Sequence, residues 1–487
     1  MADEKSLSKI QRLANNQKNI RNIATSAHIH HGKCISGNSK IQLTNGQIKT
    51  AKDIFDNVSK DGKIYEDNED HTIFIPNKNI EIFSLNNETG GIEKRNIQYV
   101  WRLQGGKTIR IKLRNGFEIE TTPEHKYIVF RDDFKDIEAK DLKIGDRVVC
   151  ARKLNVISNQ EIKKEILIKL SKENFYVNLA TEFSDLLKSN ILKYGIKKLS
   201  TEIKISIKEK SFYHGIWQNR YNLSDLISLS HIFGIDLNKL YDKIDYIYYR
   251  TGKQRGQNSF KVKLPQNFEE LFYIAGLLIG DGSGKKFVVG KNELGIRLLK
   301  FCNNLEIKAV KKQRHNKTPE ILTNMTFEYI LKCLFDYPII KKSHNIKISE
   351  FISNSNNLYV SNFLRGYFDT DGCVEKSRRA VTISSVSKKM IDDLHLLLLR
   401  FGCIGIKEKD NTISISGISA MNFEKEIGFW LQDKSEKLNI LVKNISGSIV
   451  CDRVKIGNQV MFINKLLKDK IDENLAFIEI KSIEAGF

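Results

Sequence analysis

Two nine-residue stretches constrain this chain more than any other feature. Ile274-Ala-Gly-Leu-Leu-Ile-Gly-Asp-Gly282 and Leu364-Arg-Gly-Tyr-Phe-Asp-Thr-Asp-Gly372 each carry an apolar run into an acid followed by glycine. Their acids lie 90 residues apart (371 − 281). Two such matching stretches at this spacing suit two related subdomains in one chain. The small residues Ala275, Gly276 and Gly366 allow two helices to approach closely. Each helix is expected to stop at the glycine after its acid. Helix C-termini place partial negative charge beside Asp281 and Asp371. Such hard oxygen ligands suit magnesium and metal-assisted hydrolysis. A single Asp-Gly pair is more often a structural turn. Two of them, ending matched apolar helices, favour a catalytic role.

The substrate class follows from charge. Lys and Arg exceed Asp and Glu by 21 (79 − 58), and the pI is near 9.4. That balance points to a polyanion, most often nucleic acid. A solvated, lysine-rich surface is the plainer alternative. The 487 residues suffice for about three domains. The seven cysteines are scattered and include no CxxC pair, which excludes a disulfide scaffold or cysteine zinc site and fits a reducing compartment. The opening residues have no apolar core, and no run nears the ~18 apolar residues of a membrane span. The chain is expected to be cytoplasmic and monomeric, with no membrane partner.

Along the chain, residues 34–150 show short alternating runs broken at Asn45-Gly46 and Asn115-Gly116. Ile109–Leu113 and Phe117–Thr121 flank the second pair and predict a hairpin. From 155 to 265 the periodicity turns helical, with Glu161–Leu170 and Leu223–Phe233 amphipathic. Helices and strands mix over 266–440. The tail, Leu475–Ile483, predicts a strand. The expected class is multidomain α+β, with one β domain interrupted by insertions.

Residues 1–33 read as a polar helix, a strand over Ile20–Ala27, and the turn His28-Ile-His-His-Gly-Lys33. A phosphate loop needs Lys, then Ser or Thr on magnesium. Here Cys34 follows Lys33. Arg21–Lys33 resembles the nucleotide-binding loop of archaeal-type translation elongation factor 2, although that family carries an acid where His30 stands. The resemblance implies Ala27, His28, Gly32 and Lys33 as GTP-loop residues, with GTP and ribosome as partners of an uninterrupted host. Chance, or a metal site at His28, His30 and His31, is the alternative.

The stretch Cys34-Ile-Ser-Gly-Asn-Ser-Lys-Ile-Gln-Leu43 resembles the first block of an intein, a segment that excises itself and joins its flanks. Thr122-Pro-Glu-His125 matches the intein T-x-x-H block, and Leu142–Val149 resembles the strand and turn that close that half of the fold. The resemblance implies a mostly-β splicing domain of the Hint type. Cys34 would attack the Lys33 carbonyl, His125 would assist the leaving nitrogen, and Thr122 would orient the site. The closing intein blocks are not found before Phe487, so the chain is expected to be C-terminally incomplete, whether truncated, split from a separately encoded part or decayed, and not to splice by itself, the missing intein segment being a partner. The host is expected to resume with Thr or Ser.

The paired acidic stretches resemble the dodecapeptide motifs of LAGLIDADG homing endonucleases, with Ile279 and Gly280 departing from the family pattern. That resemblance implies two αββαββα halves, Mg2+ on Asp281 and Asp371, and cleavage of double-stranded DNA at the uninterrupted host gene. Lys347-Ile-Ser-Glu-Phe-Ile352 resembles the family's K-I-P block, with Ser349 in place of proline. Lys347 would polarise water or phosphate there, with Lys341 and Lys342 as competitors. Leu394–Gly402 and Phe423–Trp430, with Lys434, resemble the end of the second half. Lys311, Lys312 and Arg314 are expected near DNA phosphates, as is the Lys376–Arg379 run. The 155–265 stretch resembles a helix-turn-helix insert, with a further helix over Leu226–Leu237. Lys198, Gln218 and Arg220 are its candidate DNA contacts. A structural spacer is the alternative. The expected layout is therefore 1–33 host, 34–154 splicing, 155–265 insert, 266–440 endonuclease, and 441–487 return to the splicing domain. An inactive DNA-binding relic is the other class of reading, and a working GTPase is disfavoured by the broken loop.

Overall fold

The computed structural model describes residues 34–486, except 87–90, 104, 132–133, 203–208, 252–259, 314, 316, 339–341, 446–452, 457–458 and 463–473. The phosphate-loop residues Ala27, His28, Gly32 and Lys33 therefore lie outside the described residues, as does Arg314.

Asn-Gly turns organise the first unit. β1 (Lys40–Gln42) and β2 (Ile48–Thr50) pair across Asn45-Gly46, where Gly46 takes φ +97°. Thr50 caps α1 (Ala51–Asp61): its hydroxyl accepts from Asp53 N, and the Asp53 carboxylate accepts from Thr50 N. β3 (Lys63–Asp67), β4 (His71–Ile75) and β7 (Val100–Leu103) form one sheet, while β5 (Glu81–Leu85) pairs with β6 (Ile92–Asn96). β8 (Ile109–Leu113) and β9 (Glu118–Thr121) form the expected hairpin, with Gly116 at φ +85°. β10 (Lys126–Phe130), β11 (Phe134–Glu138) and β12 (Arg147–Ala151) follow.

The next stretch departs from a purely helical reading. α2 (Ile162–Leu170), α3 (Thr181–Tyr194), α4 (Ile196–Glu202), α5 (Glu209–Trp217), α6 (Leu223–Ile232) and α7 (Leu237–Lys243) are present. They surround a three-stranded sheet of β13 (Phe175–Leu179), β14 (Tyr221–Asn222) and β15 (Ile244–Tyr249). β13 (FYVNL) and β15 (IDYIYY) are short aromatic and β-branched runs, for which periodicity does not separate strand from buried helix. The helix expected over Leu226–Leu237 is two helices. Gly234 turns the chain at φ +63°, and Asp236 caps the restart.

The third unit repeats one order twice. The first pass is α8 (Phe268–Asp281), β16 (Gly282–Ser283), β17 (Lys286–Val288), α9 (Asn292–Asn304), β18 (Val310–Lys312), β19 (Glu320–Leu322) and α10 (Met325–Phe335). Short α11 (Lys342–Asn345) and α12 (Glu350–Ser353) lead to the second pass. It runs α13 (Asn357–Asp371), β20 (Gly372–Glu375), β21 (Ala380–Ser384), α14 (Lys388–Leu398), β22 (Ile406–Lys407), β23 (Thr412–Ser416) and α15 (Ile418–Glu426). Both sheets have the same order, β16-β17-β19-β18 and β20-β21-β23-β22. The helix expected over Phe423–Trp430 ends at Glu426, because Gly428 takes φ +63°. α16 (Gln432–Lys443) follows the break.

A hairpin of β24 (Arg453–Ile456) and β25 (Gln459–Phe462) precedes β26 (Leu475–Ala485). β26 enters between β12 and β8, completing the sheet β11-β10-β12-β26-β8-β9. Ala476, Ile478 and Ile480 pack with Ile111, Val129 and Val148 in its core. Both Asn-Gly turns of the first unit seat against the third. A Cβ on Gly46 would lie 2.1 Å from Ser353 O, and one on Gly116 would lie 2.6 Å from Lys407 O. Buried Arg400 organises that seat, donating to Ser353 O (2.8 Å), Ser355 O (2.7 Å) and Asn357 Oδ1 (2.9 Å). Among the described residues, no helix is long and apolar enough to cross a membrane.

Candidate functional site

Cys34 runs alongside the end of β9. Ile35 bridges Thr121, and Ser36 N donates to Glu120 O at 2.8 Å. This register sets a reciprocal pair: Cys34 N donates to Thr122 Oγ1 (3.2 Å), and Thr122 N donates to Cys34 O (3.0 Å). The turn Thr122-Pro-Glu-His125 connects β9 to β10, closed by His125 N donating to Thr122 O at 3.1 Å. The His125 ring lies 5.1 Å from that of Tyr127, whose hydroxyl donates to Thr121 Oγ1 at 3.1 Å. Cys34, Thr122 and His125 thus share one strand end and one turn.

Two further features surround the thiol. The Trp101 indole Nε1–H, from β7, donates to Cys34 Sγ at 3.3 Å. An apolar pocket of about 110 Å³, lined by Ile35, Ile41, Ile54, Phe55, Val100 and others, opens beside the sulfur. Burial pushes the Cys34 thiol up, and the Trp101 hydrogen bond opposes it. Sequence reading passed over Trp101, because V-W-R-L is an ordinary strand run with no spacing that singles it out.

The paired acids end two crossed helices. α8 and α13 meet backbone to backbone. A Cβ on Gly276 would lie 2.1 Å from Phe363 O, and one on Gly366 would lie 2.1 Å from Tyr273 O. One on Gly280 would lie 3.2 Å from Asp371 Oδ1, so the Asp371 carboxylate sits beside the residue preceding Asp281. Gly282 and Gly372 follow the acids in extended backbone (φ −84° and −80°), not the left-handed form a helix-stopping glycine suggests. Their smallness serves contact instead: a Cβ at either would strike the carbonyl of Leu278 or Phe368 four residues back.

Lys434 of α16 locks the second helix end. Its ammonium donates to the carbonyls of Phe368 (3.1 Å), Asp369 (2.7 Å), Thr370 (3.3 Å) and Gly372 (2.6 Å). Burial pulls this lysine down, opposed first by Asp369. Asp369 itself is structural. It is buried, pushed up by desolvation, and accepts from Tyr273 Oη (2.7 Å), Trp430 N and Leu431 N (both 3.2 Å). Tyr367 is pushed up by burial and then by the charge of Asp371. Lys347 is ion-paired with Asp336 at 2.9 Å. Ser349, standing where the K-I-P block has proline, caps α12 by accepting from Ile352 N at 3.3 Å. Lys341 lies outside the described residues.

Among the described residues, no three His, Cys, Asp or Glu gather as metal ligands. Magnesium commonly takes one or two carboxylates and completes its shell with water and substrate phosphate. Asp281 and Asp371 fit that donor set. Lys311 and Lys312 are exposed on the edge strand β18, with Lys311 Nζ donating to Asn292 Oδ1 at 3.2 Å. Lys198, on α4, stands 4.5 Å from the Tyr194 ring centroid. Gln218 and Arg220 occupy the turn from α5 to α6, where Gln218 N donates to His214 O (3.1 Å) and Arg220 N to Gly215 O (2.8 Å). In that region Lys188 lies 4.2 Å over half-exposed Trp217.

The family model for the intein splicing domain matches residues 41–486. Elongation factor 2 of Methanopyrus kandleri is 32% identical over 463 residues, covering 94% of this chain and 36% of the relative. A probable translation initiation factor IF-2 of Methanocaldococcus jannaschii is 32% identical over 452 residues, covering 88% and 35%. The chain therefore spans about a third of the length of these curated relatives. Among solved structures, the TvoVMA intein is similar at 24% identity and TM-score 0.24, covering 25% of this chain and 71% of that one. I-DmoI in complex with DNA and Mn is similar at 16% identity and TM-score 0.27, covering 33% and 97%.

Proposed function

This chain belongs to the intein splicing-domain family, and we propose that it is an intein-bearing elongation factor 2 precursor with two chemistries, self-processing at Cys34 and DNA cleavage at Asp281 and Asp371. The reciprocal Cys34–Thr122 pair carries the first reading. Cys34 Sγ attacks the Lys33 carbonyl carbon. The C–S bond forms, the C–N bond breaks, the thiol proton leaves, and the Cys34 nitrogen gains a proton as a free amine. Thr122 holds the Cys34 N–H, fixing the plane of the scissile amide. His125, in the same turn, is the proton donor for the leaving nitrogen. The test uses the full chain with excess dithiothreitol. Intact mass should fall by residues 1–33, and Cys34→Ala should abolish the loss. An unchanged wild-type mass counts against the reading.

The crossing of α8 and α13 supports the second chemistry, because it brings two carboxylates to one end of a rigid helix pair. Bound magnesium would supply Lewis-acid activation of water and phosphate there. Asp281 and Asp371 would hold it, and Lys434 would keep the Asp371 end in place. The net positive charge favours duplex DNA, with Lys311, Lys312, Lys198, Gln218 and Arg220 as contacts and Lys347 near the phosphates. The substrate we assign is the uninterrupted host gene. The assigned layout is 34–154 with 441–487 for splicing, 155–265 for DNA contact and 266–440 for cleavage. In the spliced host, Ala27, His28, Gly32 and Lys33 would serve GTP. A plasmid bearing the uninterrupted gene should be linearised with magnesium. Asp281→Asn and Asp371→Asn should each stop cutting while leaving binding. Cutting by the double variant rejects the assignment, and wild-type binding without cutting identifies a relic.

A further inference from the structure

The sulfur of Cys34 has a single hydrogen-bond donor among the described residues, and it comes from a different sheet than Thr122 and His125. Trp101 lies on β7, registered opposite Ile73 in the sheet β3-β4-β7. Its indole crosses to Cys34 with Nε1 3.3 Å from Sγ. Thr122 engages only the Cys34 backbone. Cys34 also lines the apolar pocket, together with Ile35, Ile54 and Val100. A thiol must shed its proton to become a nucleophile, and an apolar pocket disfavours the resulting charge. An indole N–H donates but does not accept, so it stabilises a thiolate more than a thiol.

We propose that Trp101 is a catalytic residue of the self-processing reaction, its indole N–H aiming Cys34 Sγ and stabilising negative charge on the sulfur as it attacks. This rests on the Cys34 reading above, with a role that sequence motifs do not assign. The direction of the Cys34 shift agrees, since burial raises the thiol and the Trp101 bond lowers it. Trp101 thus acts on the sulfur, while Thr122 and His125 act on the amide. No proton passes through the indole. The thiol proton goes to solvent or base, and the indole remains bonded to sulfur until the C–S bond forms.

The test measures Cys34 itself. Iodoacetamide labelling of Cys34, followed by peptide mapping across pH on the full chain, reports the thiolate fraction. Trp101→Phe should move the labelling midpoint up by about one to two pH units, the scale of a hydrogen bond to a charged group. Dithiothreitol-induced release of residues 1–33 should slow by about tenfold or more at pH 7. Trp101→His retains a ring N–H and should recover part of both. A Trp101→Phe profile superimposing on wild type overturns the proposal. Shifted labelling with no thiol release in wild type instead sinks the self-processing reading and leaves the Trp101–sulfur bond standing. Should Trp101→Phe fail to fold, NMR of the wild type decides. One of the three indole N–H signals should move with the Cys34 titration and lose that movement in Cys34→Ala. Three pH-invariant indole signals also overturn it.

Discussion

Replacing Gly276 or Gly366 by alanine separates stability from cleavage in a way the helix crossing determines. At either site the added Cβ would lie 2.1 Å from a carbonyl oxygen of the facing helix, Phe363 O or Tyr273 O. Restoring even 3.0 Å requires the backbones to part by about 0.9 Å. No side chain can yield instead, since the obstacles are main-chain atoms. Overpacking of this kind costs about 1–3 kcal/mol, less up to ~1 kcal/mol that alanine returns through helix propensity. The acid lies five residues beyond each glycine, about 7.5 Å along the helix. A separation near 1 Å there disturbs the relative placement of Asp281 and Asp371, and misplacement on that scale costs about 100-fold in rate. Urea midpoints should therefore fall modestly while plasmid linearisation falls by about two orders of magnitude. The double variant should cost less than the sum of the singles, because one separation relieves both clashes. Gly295→Ala is the internal control. Its nearest neighbours would be side-chain atoms, of Val289 at 2.8 Å and Ile321 at 3.5 Å, and it should change cleavage little. Wild-type midpoint and wild-type cutting in Gly366→Ala would refute backbone contact at the crossing.

Lys434→Met keeps the aliphatic stem but removes the donor to four carbonyls at the end of α13. It should cost about 1–3 kcal/mol by urea unfolding and slow cleavage, whereas thiol-induced release at Cys34 should be unaffected. His395 is buried against Phe117, with ring centroids 3.3 Å apart, and burial followed by Lys407 lowers it from 6.5 to about 3. The unfolded chain takes up this proton as pH falls through ~6.5, and the folded chain does not until about pH 3. Stability therefore declines as pH drops across that window, by at most ~1.4 kcal/mol per unit. His395→Leu should flatten the decline in urea midpoints between pH 6.5 and 4, and an unchanged slope would show that other groups set it.

Much of this fold could be read from local chemistry. Asn45-Gly46 and Asn115-Gly116 announce their hairpins, because each glycine takes the positive φ such turns need. The α8 and α13 boundaries follow from apolar runs ending at Asp281 and Asp371. The Cys34 and T-x-x-H pairing was legible as a resemblance, and the register of Ile35 against Thr121 is what brings the two together. What escaped depends on distant packing. β13 and β15 carry runs that suit either a strand or a buried helix. Trp101 donates to a sulfur 67 residues away, and Lys434, which the sequence marks only as part of a closing segment, binds carbonyls 62–66 residues away; no local pattern encodes either contact. Gly282 and Gly372 do follow the helix ends, as their position after the acids implies, but in extended backbone. Steric room, not left-handed backbone, requires them.

The placement of β26 carries a consequence for time. It is a central strand of its sheet, lying between β12 and β8, yet it is synthesised long after both. Roughly 360 residues separate the end of β8 from its start, which at about 5–20 residues per second takes the ribosome roughly 20–70 s. Throughout that interval β8 and β12 each present an open edge to the other and to any passing strand. β9, against which Cys34 is registered, joins the sheet through β8. The nascent chain thus holds Cys34 in an unfinished frame until β26 has been made. Synthesis order becomes a clock, setting the earliest moment at which the thiol meets a rigid amide.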